Sequence, residues 1–404
     1  MNRILFVDDE PSVLDGLRRM LRPLREEWHM EFAASGMEAL AILARDPYDV
    51  IVSDMRMPGM DGAELLDTVM HRFPRMVRIV LSGQADRASV LRSLAATHQY
   101  LAKPCDAATI KATLTRACAL RDLLADPGLI ALVSHVHTIP SLPDIYARLV
   151  EECRSPKGSL RTVAEIMAED VGMTAKILQL VNSSFFGRAR RISSPLDAVQ
   201  LLGMETVKAL LLLAHVFSQL EAPPAQLYSP VLLQRRSLAT SAAARLIAVA
   251  ERADPEAVEE AAAAGLLHDV GELVLAANLP DRFAKARQLA AERGGDVIGA
   301  EMEVLGASHA MMGAYLLGLW GLPDVVVEAV AFHHAPAECV HHGFGPLAAV
   351  HVAASLVPEL TGADPGLEAP ALDLDYVRAL GLAERLDGWR RRCVTRLRAE
   401  GGDA

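Results

Sequence analysis

The chain has 404 residues and a net charge of −11, with half of its residues hydrophobic and only 4% aromatic. Such length carries roughly two to three domains, the composition favours helix over an all-β fold, and the acidic balance argues against a broad nucleic-acid surface. Cys105, Cys118, Cys153, Cys339 and Cys393 form no CxxC pair, so neither a disulfide nor a zinc-ribbon framework is expected. The opening MNRILFVDDE turns acidic without a signal-peptide core, and the longest apolar runs fall short of the roughly 20 residues that span a bilayer. A cytoplasmic protein with no membrane and no nucleic-acid partner is expected.

Over residues 1–105, short apolar runs alternate with stretches of helical spacing. Strands are expected at Ile4–Val7, Met30–Ala33, Val50–Val52, Val77–Leu81 and Tyr100–Ala102, with helices at Ser12–Leu21, Gly36–Ala44, Gly62–His71 and Arg87–Ala95. Regular βα alternation predicts a doubly wound parallel sheet, in which chemistry collects past the carboxyl ends of the strands. Asp8 and Asp9 then share one rim with Asp54, Ser82 and Lys103. Three carboxylates so close need a hard cation such as Mg2+, beside which one of them can act as a nucleophile toward a phosphoryl group. A lysine charge and a hydroxyl would stabilise the transferring oxygens.

The motifs VDDE, SDMRMPGMDG, LSG and YLAKP, in this order, resemble the receiver domain of two-component response regulators. The resemblance implies Asp54 as phosphoacceptor, Asp8 and Asp9 with Asp54 as the Mg2+ pocket, Ser82 and Tyr100 as switch residues, and Lys103 as the signalling lysine. It also implies a histidine kinase or phosphotransfer protein as partner. Arg56 and Gln84, two residues beyond Asp54 and Ser82, overlook the phosphoryl position, and a guanidinium there suits phosphate oxygens.

Thr109–Leu124 carries an apolar stripe that either pairs with a second copy, giving a homodimer, or is covered within one chain. Beyond His137 the alternation stops and helical patterns follow one another from Ser141–Arg154 to Asp324–His333. The expected organisation is a receiver at 1–121, a helical linker at 122–137, an all-helical domain at 138–335 and a helical extension at 336–404. The fold class is thus α/β plus all-α, a flavodoxin-like (βα)5 unit before a helical one.

Histidines carry what chemistry the second half offers: His268 beside Asp269 in GLLHDVGE, His309 in SHAMMG, His333 and His334 in AFHH, and His351. Nitrogen and oxygen donors from several helices can share a transition metal. IPSLPDIYARL, TAKILQLVNSSFFG, GLLHDVGELVL and LGASHAMMGAYLLGLWGLPDVVVEAVAFHH together resemble the HDOD domain, a relative of the HD phosphohydrolases. Against the enzymatic pattern, Arg236 stands at the first ligand position and Ala353 or Ala354 at the last, and Ala335-Pro336-Ala337-Glu338 replaces the GYP loop. Guanidinium has no lone pair for a metal, and alanine has no ligand atom. The resemblance therefore implies a non-catalytic module that binds a protein or small ligand, with a weak transition-metal site on His268, Asp269, His309, His333 and His334. The alternative is a receiver-controlled, metal-dependent phosphodiesterase acting on cyclic dinucleotides or nucleotides. Asn182 and Ser183 read as a helix cap or as side chains bonding the backbone in a turn. The arginine-rich tail, Leu382–Arg398, reads as a solvated helix face.

Overall fold

The computed structural model describes residues 2–82, 96–121, 126–134, 136, 143–155, 158–182, 191–204, 206–207, 229–339, 343–361 and 370–401. Two compact units emerge, one built on Met1–His137 and one on Thr138–Leu180, Arg191–Leu317 and Leu322–Ala404.

The first unit is a five-stranded parallel sheet in the order β2-β1-β3-β4-β5, with β1 at Asn2–Val7, β2 at Trp28–Ala33, β3 at Val50–Ser53, β4 at Val77–Ser82 and β5 at Gln99–Ala102. This is the flavodoxin-like order, with its switch point between β1 and β3. The central strands are apolar runs because both of their faces are covered. Ile4, Leu5 and Phe6 are fully buried, as are Val50 and Ile51. Each such side chain contributes about 1.5–3 kcal/mol relative to exposure. Helices α1 (Pro11–Leu21), α2 (Gly36–Arg45), α3 (Gly62–Arg72) and α4 (Ala107–Arg121) surround the sheet. The expected helix at Arg87–Ala95 and the side chain of Gln84 lie outside the described residues. In α4, Ile110, Leu114 and Ala117 are buried within the single chain, which covers that part of the stripe.

The loop after β3 is shaped by two glycines. Gly59 has φ +82°, and a Cβ on Gly62 would come within 2.1 Å of the Asp54 carbonyl oxygen. The start of α3 can therefore press against the backbone that carries Asp54. Asp61 caps α3, accepting from Glu64 N–H at 2.8 Å while Glu64 reaches back to Asp61 N–H.

Every described element of the second unit is helical. After α5 (Pro127–Ser134), which belongs to the first unit, come α6 (Pro143–Arg154), α7 (Leu160–Ala168), α8 (Val171–Asn182), α9 (Pro195–Leu202), α10 (Pro230–Ala250) and α11 (Pro255–Leu267). Then follow α12 (Val270–Asn278), α13 (Pro280–Glu292), α14 (Val297–Leu305), α15 (His309–Leu319), α16 (Asp324–Phe332), α17 (Pro346–Thr361), α18 (Leu374–Ala379) and α19 (Leu386–Gly401). The expected helix at Glu205–Leu220 falls mostly outside the described residues, as does Ser183. Helix α10 packs along α11 and α17, and α16 packs on α17. The arginine-rich tail docks on the end of α10, where Glu251 pairs with Arg385 and accepts from Trp389 Nε1, leaving Arg390, Arg391 and Arg392 exposed. No helix among the described residues is long and apolar enough to cross a membrane.

Candidate functional sites

At the rim of the sheet, hydrogen bonds from Asp8 N–H to Ala33 O and from Asp54 N–H to Val7 O carry the ladder one residue past the strands. The two carboxylates are thereby held side by side, Asp8 buried and Asp54 nearly so. Lys103, just past β5, bridges them: its Nζ is 2.5 Å from Asp8 Oδ2 and 2.5 Å from Asp54 Oδ1. Burial would lower the Lys103 pKa, but the hydrogen bonds to Asp54 and Asp8 outweigh it and raise it above the ordinary lysine value. The other Asp54 oxygen, Oδ2, accepts from Arg56 N–H at 2.6 Å, and Arg56 is an exposed residue. Asp9 is half-buried beside Asp8, and Tyr100 is buried in β5. Ser82 ends β4, and its side chain lies outside the described part of the structure.

The second cluster lies where α11, α12, α15 and α16 meet. His268 follows the end of α11, Asp269 stands at the N-cap of α12, His309 opens α15, and His333 and His334 follow α16. Asp269 makes no capping bond, because its oxygens are turned to side chains. Oδ2 receives Arg236 Nη2 at 2.6 Å, Arg236 Nε at 2.8 Å and faces His268 Nε2 at 3.0 Å. Oδ1 faces His309 Nε2 at 3.3 Å and His333 Nε2 at 3.6 Å. Asp269, His309, His333 and His334 each bring one ligand atom into a group within 4.8 Å of one another, a set that can hold a metal ion. His268 stands on the other oxygen, and His351 stands behind the group. Asp373 N–H donates to His351 Nε2 at 2.9 Å, so His351 Nδ1–H donates to His333 O at 2.7 Å.

Two acids that the motifs did not single out complete the site. Glu301 accepts from His309 N–H at 2.7 Å and from its Nδ1 at 2.8 Å. Glu272 pairs with Arg236 at 3.1 Å and Arg287 at 3.2 Å. Position 272, three beyond Asp269 on one helix face, was readable from spacing; Glu301, on a separate helix, was not. Burial works against the charged form of Asp269, yet Arg236 and the hydrogen bonds from His268 and His309 hold its pKa well below the carboxylate range. Burial likewise opposes charge on His309, but Glu301 and Asp269 raise its pKa well above the imidazole value. Burial lowers His333 to about 4, and burial with the charges of His333 and His309 drives His334 well below its usual value.

Ala353 and Ala354 are buried in α17 and supply no donor. Arg236, at the position where the enzymatic pattern has a metal ligand, binds Asp269. Removing it strands a buried carboxylate, a loss of about 3 kcal/mol. Urea unfolding of full-length Arg236→Met, followed by far-UV circular dichroism, is expected to show that drop; a change under about 0.5 kcal/mol would mean that the guanidinium holds nothing.

Comparison with known proteins matches both halves of the chain. The family model for the response regulator receiver domain matches residues 4–115, and that for the HDOD domain matches residues 139–336. The hydrogenase transcriptional regulatory protein HoxA of Cupriavidus necator is 43% identical over 103 residues, 25% of this chain and 21% of that protein. An uncharacterized protein of Treponema pallidum is 27% identical over 209 residues, 50% of this chain and 39% of that protein. The chain thus spans about a fifth of the first and two fifths of the second. Among solved structures, the MmoQ response regulator of Methylococcus capsulatus aligns over 64% of this chain and 98% of its own, with 23% identity and a TM-score of 0.50, a likeness of fold. With both domain families matched in order along one chain, it belongs to the response regulators that join an N-terminal receiver domain to an HDOD domain.

Proposed function

We propose that this protein is a cytoplasmic phosphorelay component, phosphorylated on Asp54 by a histidine kinase or phosphotransfer protein, whose HDOD domain passes the state on by binding a protein or small ligand. The observation that carries this reading is Lys103 Nζ set between Asp8 and Asp54 at the edge of the sheet. One Asp54 oxygen attacks the phosphorus of a phosphohistidine, the P–N bond breaks, and the imidazole leaves with the bonding pair. Lys103 and the Arg56 N–H are placed to meet the oxygens of the transferring group. The pocket offers only carboxylate oxygens, which fits a hard cation, so Asp8, Asp9 and Asp54 would hold Mg2+. When bound, Mg2+ neutralises charge building on the phosphoryl oxygens.

A phosphoryl group shifts a two-state domain only through contacts that differ between the states. Lys103 supplies such a difference, since it must leave a carboxylate pair to engage a phosphate; Ser82 and Tyr100 are the proposed followers. The test is phosphorylation of full-length protein by acetyl phosphate with and without Mg2+, read by mass. Mg2+-dependent gain of one hydroxylamine-labile phosphoryl group is expected, and no gain would refute the reading.

A phosphohydrolase governed by the receiver is the second reading, favoured by the buried His–Asp group. Arg236, bonded to the carboxylate at the heart of that group, places it second.

A further inference from the structure

We propose that Ser53 is a positioning residue for phosphoryl transfer, its buried hydroxyl fixing the Asp54–Met55 peptide and, through it, the carboxylate and the Arg56 N–H that meet the transferring group. This deepens the phosphorelay reading and rests on it.

Asp54 stands where the sheet ends. Its N–H still donates to Val7 O at 2.8 Å, as the parallel ladder of β1 and β3 requires. One more rung would have Asp9 N–H donate to the Asp54 carbonyl, since the N–H and C=O of one residue serve the same neighbour in a parallel pair. That rung is missing among the described residues, at the point where β1 and β3 both end. Ser53 Oγ takes its place and donates to the Asp54 carbonyl at 2.8 Å. Ser53 is fully buried, so bulk water does not compete for this bond.

The same oxygen is crowded by the start of α3, where a Cβ on Gly62 would come within 2.1 Å of it. The peptide plane between Asp54 and Met55 is thus set by two contacts, one polar and one steric. That plane decides where the N–H groups that follow can point. Arg56 N–H, two residues on, donates to Asp54 Oδ2 at 2.6 Å, while Lys103 Nζ faces Oδ1 at 2.5 Å. Turning the peptide would swing Arg56 N–H away from the carboxylate and tilt the oxygen that attacks phosphorus. A misplacement of about 1 Å between reacting groups can cost on the order of 100-fold in rate.

Ser53 touches none of the reacting atoms. Its bond is to a main-chain carbonyl, and a carbonyl shut away from water without a donor is costly. Loss of the hydroxyl therefore drives the peptide to turn toward another donor. The signature of such a role is a slower chemical step with little change in the binding of the phosphodonor.

The test compares full-length Ser53→Ala, Ser53→Thr and Ser53→Val with the wild type at excess Mg2+, following phosphoryl uptake from acetyl phosphate by intact mass. Threonine and valine share one shape and differ in the hydroxyl alone. Ser53→Ala and Ser53→Val are expected to lower the maximal rate roughly 10-fold, with half-saturating acetyl phosphate within about twofold of the wild type. Ser53→Thr is expected to recover most of the loss. A wild-type rate in Ser53→Ala, equal rates in Ser53→Thr and Ser53→Val, or a loss confined to the half-saturating concentration would each overturn the proposal. A second measurement needs no phosphoryl transfer. With isotope-labelled arginine, the Arg56 amide proton resonance, identified by its disappearance in Arg56→Lys, is expected far downfield in the wild type and in Ser53→Thr. In Ser53→Ala and Ser53→Val it is expected to move upfield, and an unmoved resonance in Ser53→Ala would also overturn the proposal. A wild type that takes up no phosphoryl group would instead count against Asp54 as phosphoacceptor, and the amide resonance alone would then decide the role of Ser53.

Discussion

Asp54→Asn is expected to take up no phosphoryl group from acetyl phosphate or from a phosphorylated histidine kinase, while unfolding within about 1 kcal/mol of the wild type. Loss of chemistry is complete because an amide has no anionic oxygen to attack phosphorus. The small structural effect follows from the bonds around the carboxylate. Lys103 Nζ donates to Oδ1 and Arg56 N–H donates to Oδ2, so both oxygens act as acceptors. Asparagine can present its single oxygen to one donor only, and its NH2 then opposes the other. Against that cost, the variant removes a negative charge held beside Asp8. Mass analysis of tryptic peptides after acetyl phosphate treatment checks the result. Persistent labelling, on Asp8 or Asp9 for example, would move the phosphoacceptor away from Asp54 and undo the proposed function.

The receiver rim was readable because its chemistry is local in sequence. Each rim residue stands at the end of an apolar strand or within two residues past it, and a strand buried on both faces is visible as an unbroken run. The strands begin earlier than those runs, at Asn2, Trp28 and Gln99, since polar residues at the sheet entrance still pair along the ladder. The helical unit was less legible. Helix α12 was not expected as a separate element because Val270 to Ala276 is buried without interruption, which leaves no polar face to set a period. Helix α14 is short, and it carries the acid behind His309. The five candidate ligands were all named from their motifs, yet their division was hidden. That His268 and Arg236 share one oxygen of Asp269, and His309 and His333 the other, depends on five helices whose angles no local pattern records. Glu301 and Arg287 are invisible for the same reason: each becomes informative only through a partner on another helix.

Gly271→Ala is expected to destabilise the HDOD domain by on the order of 4 kcal/mol, one of the larger effects a single methyl group can have. A Cβ at this position would lie 1.9 Å from the His309 carbonyl oxygen and 2.9 Å from Gly313 N. Both are backbone atoms, so no side chain can rotate aside, and the first turns of α12 and α15 must separate. Those turns carry Asp269 and His309, whose contact at 3.3 Å would open with them. Gly313→Ala serves as the graded comparison. Its Cβ would meet Val270 Cγ1 at 3.0 Å, Gly271 N at 3.1 Å and Val330 Cγ1 at 3.3 Å, and two of these are side-chain atoms that can yield by tenths of an ångström. The milder variant is expected to lose about 1–2 kcal/mol. Urea unfolding of the two full-length variants, followed by far-UV circular dichroism, checks the order. Equal effects, or a wild-type midpoint for Gly271→Ala, would show that the close approach of α12 and α15 does not hold the His–Asp group together.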